Sequence, residues 1–224
     1  MKCKIITFED VYNMTKKVSE GVQASGYRPT TIVGLARGGW IPARLMCDLL
    51  GITDLISLKV EHWLQTGKTK DEATIRYPLT GDLKGKKLLV VDDITDTGKS
   101  LMVSLEHLKD FNPEEVRVAT MQYLPQSKCR PDYFAEEIEV WTWFIYPWNW
   151  IEDTSTLIVR LLHTAKEKVW ALSEIRSGIN NLFEIEWDEA MLNYILEVMV
   201  ERKQVDAERA PGKYRLVGEN VIEL

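Results

Sequence analysis

The twelve residues Val90–Leu101, VVDDITDTGKSL, constrain this chain more than any other stretch. An apolar run, Lys87–Val91, leads into them, and a helical pattern over Ser100–Lys109 follows. A strand passing through a polar, glycine-containing loop into a helix aims backbone N–H groups and a helix N-terminus at one spot, which favours an anion. Thr95, Thr97 and Ser100 add hydroxyl donors, and Gly98 permits a close backbone approach. Asp92 and Asp93, adjacent at the strand end, are placed to accept hydrogen bonds from sugar hydroxyls. The segment is neither G-x-x-x-x-G-K-[ST] nor G-x-G-x-x-G, so the two common nucleotide loops are excluded. A capped polar turn would account for a lone D-D or T-G-K, but not for the whole string.

The pattern around this loop is that of an α/β protein. Phe8–Ser25 has helical spacing, with Val11, Met14, Val18 and Val22 on one face. Thr31–Leu35 reads as a buried strand running into the glycines of GLARGG, and Trp40–Leu50 as a helix stopped by Gly51. Thr53–Val60 and Val116–Tyr123 read as further strands. Strands alternating with helices predict a mostly parallel, twisted sheet flanked by helices. Such sheets bind ligands at the carboxyl ends of their strands, where both glycine-containing loops fall. His62–Tyr77 is polar with Gly67 in its middle and reads as a mobile loop or β-flap. Trp141–Trp150 holds four of the eight tryptophans. Trp141, Trp148 and Trp150 are expected to pack.

From residue 151 the character changes. Thr154–Lys168, Lys168–Phe183 and Trp187–Lys203 are amphipathic, and two strand-like runs follow about Pro211–Gly212. The expected division is 1–150 and a small helical, winged-helix-like domain over 151–224. That second part carries nine Lys and Arg against fourteen Asp and Glu, so no nucleic-acid partner is expected. The whole chain has a net charge of -6, and no stretch approaches the roughly 20 apolar residues of a membrane span. Cys3, Cys47 and Cys129 are scattered, which argues against a disulfide framework or a zinc site. With no apolar region in MKCKIITFEDVYNM, a cytoplasmic location is expected.

Val90–Leu101 resembles the motif with which type I phosphoribosyltransferases bind 5-phosphoribosyl-1-pyrophosphate (PRPP). The resemblance implies that Asp92 and Asp93 contact the ribose hydroxyls and that Thr95, Asp96, Thr97, Gly98, Lys99 and Ser100 hold the 5-phosphate. Asp96 would handle the purine N7 proton and is the expected catalytic residue. Gly34–Gly39 resembles the family's pyrophosphate loop, with Ala36, Arg37 and Gly38 on the diphosphate and a cis peptide at Ala36–Arg37. Thr142–Trp148 is similar to the T-W-x-x-x-P-W stretch of the xanthine–guanine branch. Trp143 would then stack on the base, Phe144 would read its edge, and Ile94 and Lys128 would complete the base site within a hood over 124–150. The flap over 62–77 would bring Lys68, Lys70 and Arg76 toward pyrophosphate. One departure stands out: 6-oxopurine members place a lysine just after the strand ending near Tyr123, where this chain reads Leu124-Pro125.

The implied activity is transfer of the phosphoribosyl group from PRPP to adenine or a 6-oxopurine, with Mg²⁺. The products would be a nucleoside 5-monophosphate and pyrophosphate, as in purine salvage, from a homodimer. The rival from another class is a PRPP- or nucleotide-sensing regulator with the last domain as output. A pyrimidine or orotate transferase is disfavoured by T-W-x-x-x-P-W.

Overall fold

The structure is a computed structural model that describes residues 1–64, 71–207 and 212–217. In chain order the elements are β1 (Cys3–Ile5), α1 (Phe8–Ala24), β2 (Thr31–Ala36), α2 (Trp40–Leu50), β3 (Leu55–Leu64) and β4 (Asp71–Tyr77). Then come β5 (Lys87–Thr95), α3 (Lys99–Lys109), β6 (Glu115–Tyr123), β7 (Tyr133–Glu137) and β8 (Trp143–Ile145). The last are α4 (Trp150–His163), β9 (Trp170–Ala171), α5 (Leu172–Phe183), α6 (Glu189–Glu201), β10 (Val205–Ala207) and β11 (Lys213–Leu216). They form two compact units, Phe8–Trp141 and Met1–Thr7 with Thr142–Leu224.

The Phe8–Trp141 unit is built on a six-stranded sheet of order β4-β3-β2-β5-β6-β7. Only β3 and β4 run antiparallel; the other neighbours are parallel. β2 and β5 are apolar and buried along most of their length, as strands covered on both faces must be. α1 buries Val11, Met14, Val18 and Val22, the face its spacing predicts. Val33, Leu35, Leu58, Leu88, Val90, Leu101, Leu108 and Val118 form one core cluster. From β2 the chain passes through α2 to β3 on one side; from β5 it passes through α3 to β6 on the other. The winding therefore reverses between β2 and β5, and the crevice at their carboxyl ends is where such a sheet takes its ligand.

The stretch read as a loop or flap is, where described, a hairpin. β3 continues past the expected Val60 and pairs with β4 from Lys59↔Tyr77 to Leu64↔Asp71. Lys68 and Lys70 lie outside the described residues.

The other unit joins the chain start to the segment from Thr142 onward. β1 pairs in parallel with β8, Cys3↔Trp143 to Ile5↔Ile145. Ile6 N–H donates to the Ile145 carbonyl at 2.9 Å, and the Trp150 indole N–H to the Ile6 carbonyl at 3.1 Å. These bonds tie Met1–Thr7 to β8 and to the start of α4. A three-residue strand at the chain start carries no periodicity from which this could be read.

The helices start and stop where capping dictates, several residues from their expected bounds. α4 begins at Trp150 with Glu152 and Asp153 in its first turn, favourable to the helix dipole. At α5, Glu174 reaches back to accept from the Ala171 N–H at 2.8 Å. At α6, Asp188 accepts from the Met191 N–H at 2.7 Å. β9, β10 and β11 form an antiparallel sheet of order β10-β11-β9. Helix, strand, two helices and a hairpin make a winged-helix-like arrangement. Its core holds Leu157, Leu161, Ile175, Ile179, Leu192 and Ile195. Trp150 packs edge-on against Trp187, and Trp148 stacks on Tyr146. Trp141, expected to pack, is 49% exposed.

One buried polar pair in this core is open to test. The Trp187 indole N–H donates to Thr154 Oγ1 at 3.0 Å, and both residues are buried. Thr154→Val keeps the shape and removes the acceptor. Denaturant unfolding should show a loss of about 1–3 kcal/mol, the cost of a buried donor left without a partner. Thr154→Ser should retain most of the stability, and equal losses in both variants would discount the hydrogen bond.

Candidate active site

β5 delivers the two carboxylates. Its apolar half is locked between β2 and β6, and its last residues turn polar as they leave the core. The Asp93 N–H donates to Asp92 Oδ1 at 3.0 Å, and the Ile94 N–H to Asp93 Oδ1 at 2.8 Å. Residues Asp92 to Leu101 line one cavity of about 330 Å³. Thr95 is buried, while Asp96 and Thr97 are exposed. Gly98 adopts a left-handed conformation, φ 76°, and precedes α3 without a capping side chain. The Lys99 N–H donates to Thr97 Oγ1 at 3.4 Å, and Lys99, Ser100 and Leu101, the first turn of α3, line the cavity, where a helix N-terminus favours an anion.

The loop is braced by the residues after β6. The Leu124 N–H donates to the Thr95 carbonyl at 2.9 Å, and the Lys128 N–H to the Thr97 carbonyl at 3.1 Å. A Cβ on Gly98 would lie 2.5 Å from Ser127 Oγ and 2.8 Å from the Cys129 nitrogen. Ser127 and Cys129 were not singled out by sequence; only their contact with Gly98, on the far side of α3 and β6 in the chain, gives them meaning. Behind the loop, Thr95 Oγ1 donates to Thr120 Oγ1 at 3.3 Å, and buried Gln122 bonds Glu136 at 2.9 Å.

The loop after β2 meets the same place. The Ala36–Arg37 peptide is cis, at the position expected for it. Gly38 presses directly on Asp93: a Cβ there would overlap the Asp93 carboxylate. Ala36, Arg37 and Gly38 are thereby brought beside Asp92 and Asp93. Burial, then the neighbouring Asp93 carboxylate, push the Asp92 carboxyl well above the usual carboxylate range.

The other sequence-derived residues fall as follows. Ile94 is half-buried at the cavity wall. Lys128 contributes its backbone N–H, and its side chain is exposed. Leu124, 1% exposed, occupies the position directly after β6. Arg76, on β4, has its Nε 3.9 Å from Glu61. Trp143 and Phe144 belong to the other unit, where Phe144 is buried and the half-buried Trp143 ring lies under the Arg160 guanidinium, 5.1 Å from the ring centre.

Paired carboxylates, hydroxyls and a helix N-terminus at the switch point of a parallel sheet define a protein that binds a phosphorylated sugar. Residues 8–151 match the phosphoribosyl transferase domain family, and the chain belongs to that family. It is 31% identical over 120 residues to the xanthine-guanine phosphoribosyltransferase of Cereibacter sphaeroides, covering 53% of this chain and 68% of that one. Its counterpart from Gluconobacter oxydans is 29% identical over 128 residues, covering 57% and 71%. The purine phosphoribosyltransferase of Pyrococcus horikoshii is similar in structure, with a TM-score of 0.59 and 32% identity over 66% of this chain and 94% of that one. The protein is therefore an enzyme of the type I purine phosphoribosyltransferase family, and the chain beyond residue 151 is additional to the matched domain.

Two measurements follow from the site's electrostatics and packing. A carboxyl whose folded pKa is raised subtracts stability once the pH exceeds its unfolded value, and the penalty vanishes below it. Ligand-free Asp92→Asn should therefore melt above the native protein at neutral pH, with the gap closing as the pH falls below about 4. A gap that is constant with pH would contradict the raised pKa. Gly38→Ala should displace the Asp93 carboxylate and weaken PRPP binding about five- to 150-fold, by a clash of the ~1–3 kcal/mol typical of overpacking. Unchanged PRPP affinity in a titration would show that the two loops yield freely.

Proposed function

We propose that this enzyme transfers the 5-phosphoribosyl group of PRPP to a 6-oxopurine, releasing pyrophosphate and a nucleoside 5-monophosphate, in cytoplasmic purine salvage. The observation that carries the reading is the cavity lined by Asp92–Leu101 with the Ala36–Gly38 loop pressed against its carboxylates. In this reading Thr95 to Ser100 and the start of α3 hold the 5-phosphate, and Asp92 and Asp93 accept from the ribose hydroxyls. Arg37 and the N–H groups beside it take charge from the departing diphosphate. As pyrophosphate leaves, C1 of the ribose becomes positive, and the nearby carboxylates stabilise it while N9 of the base attacks. Asp96 accepts the purine N7 proton. Trp143 is the stacking surface for the base, an interaction worth about 1–3 kcal/mol, with Phe144 and Ile94 at its edges. Arg76 and the hairpin of β3 and β4 act on the pyrophosphate side.

Magnesium is bound in enzymes through one or two carboxylates together with substrate phosphates, and Asp92–Asp93 fit that donor set. Bound there, the ion would neutralise diphosphate charge. The free thiols of Cys3, Cys47 and Cys129 support a reducing compartment. Self-association as a homodimer belongs to the same reading.

Asp96 and the xanthine–guanine relatives support a 6-oxopurine acceptor. Leu124 favours a second reading, adenine, because an apolar residue directly after β6 offers no cation to a purine O6. Pyrophosphate release with PRPP, Mg²⁺ and each of adenine, hypoxanthine, guanine, xanthine, uracil and orotate separates the two. Turnover restricted to 6-oxopurines is expected; turnover with adenine alone would favour the Leu124 reading. Tight PRPP binding without turnover on any of these bases would place the acceptor outside this set. Asp96→Asn should lower kcat about 10²–10⁴-fold, the range of a lost acid–base group, and change PRPP affinity much less.

A further inference from the structure

We propose that Arg160, a residue of α4 beyond the matched family domain, is a positioning residue for the purine base, acting through Trp143. The proposal rests on the reading of Trp143 as the base platform. The Arg160 guanidinium lies over the Trp143 ring, 5.1 Å from its centre, within cation–π range. One Nη also contacts the Met1 sulfur at 3.5 Å, so β1, β8 and α4 converge on this group.

Two features set this arginine apart from an ordinary surface cation. Its Nε is buried with no hydrogen-bond partner, an arrangement that native structures rarely keep without reason. Among the described residues it forms no ion pair, although the surrounding unit is rich in carboxylates. Its place in the last turn of α4 suits the helix dipole, but that alone does not require a buried Nε. The charge is instead spent on an aromatic face.

A ring held under a cation has one face left for stacking. The guanidinium draws π-electron density toward itself, so the opposite face is less negative than that of an isolated indole. Such a face suits an electron-rich partner. A purine that is giving up its N7 proton while N9 attacks is more electron-rich than the same purine in solution. Arg160 thus fixes the tilt of the platform and biases it toward anionic or deprotonating bases.

The test is steady-state kinetics of the full chain carrying Arg160→Met, Arg160→Lys or Trp143→Leu, with each purine the native enzyme turns over. KM is measured for the base at saturating PRPP and for PRPP at saturating base. Arg160→Met should raise the base KM about three- to tenfold, most for the most readily ionised base, with the PRPP KM unchanged. Arg160→Lys, which keeps the charge, should recover most of the loss. Arg160→Gln takes the place of the Met variant if that one does not fold. If Trp143→Leu raises the base KM while the neutral Arg160 variants do not, the inference fails and the platform stands. If Trp143→Leu leaves the base KM unchanged, the platform reading fails first. If removing the charge moves the base and PRPP KM values alike, or if lysine recovers nothing, Arg160 is only structural.

Discussion

Asp93 and Gly38 occupy neighbouring space so tightly that Gly38 has no room for a side chain. This contact requires the loops after β2 and β5 to reach the same point, and they do so only because β2 and β5 are adjacent in the sheet. Adjacency of those two strands is also what reverses the winding direction, sending α2 and β3 one way and α3 and β6 the other. The sheet order and the binding crevice are therefore one arrangement seen at two scales. Bracing by Leu124, Ser127, Lys128 and Cys129 from the far side keeps the phosphate loop from relaxing away from the contact.

The same crowding carries an energetic cost. Two carboxylates in sequence, partly withdrawn from water, repel one another, and burial raises Asp92 further. A residue chosen for stability would not be an aspartate here. The arrangement becomes favourable when a ligand brings cations or hydroxyl donors to both groups, so the free protein is less stable than its fold would allow and the difference is returned on binding.

The sheet and the cavity-lining loop after β5 were legible in the sequence because both depend on local pattern. Lys87–Val91 and Thr31–Leu35 are continuous apolar runs, and Val90–Leu101 is an unbroken string whose chemistry is in its own residues. The pairing of Cys3–Ile5 with Trp143–Ile145 was not legible, since three residues on each side leave no period to detect and the partners lie some 140 positions apart. That pairing places Thr142–Ile145 in the same compact unit as the chain start. Ser127 and Cys129 were missed for a related reason: their role is a contact with Gly98, and a contact between separate loops leaves no spacing rule. The hairpin was half-read, because β4, at the sheet edge, has the polar sequence DEATIRY, which resembles a loop.

The residues beyond 151 have the element order of a winged helix without its usual electrostatics. In helix-turn-helix readers the second helix of the pair enters the groove and contacts bases and phosphates. Here the corresponding α6 carries Glu189, Glu197 and Glu201 and no lysine or arginine. A phosphate backbone would meet repulsion along that helix, so the topology is better understood by what it is joined to. Thr142–Ile145, which bears Trp143, folds with α4, α5 and α6 rather than with the sheet that carries the phosphate loop. Packing changes in the helices therefore reach Trp143 through β8 and through Arg160, without passing through the six-stranded sheet. In a chain divided this way, sugar-phosphate recognition and the surroundings of the aromatic ring can vary separately, because they are built by different cores.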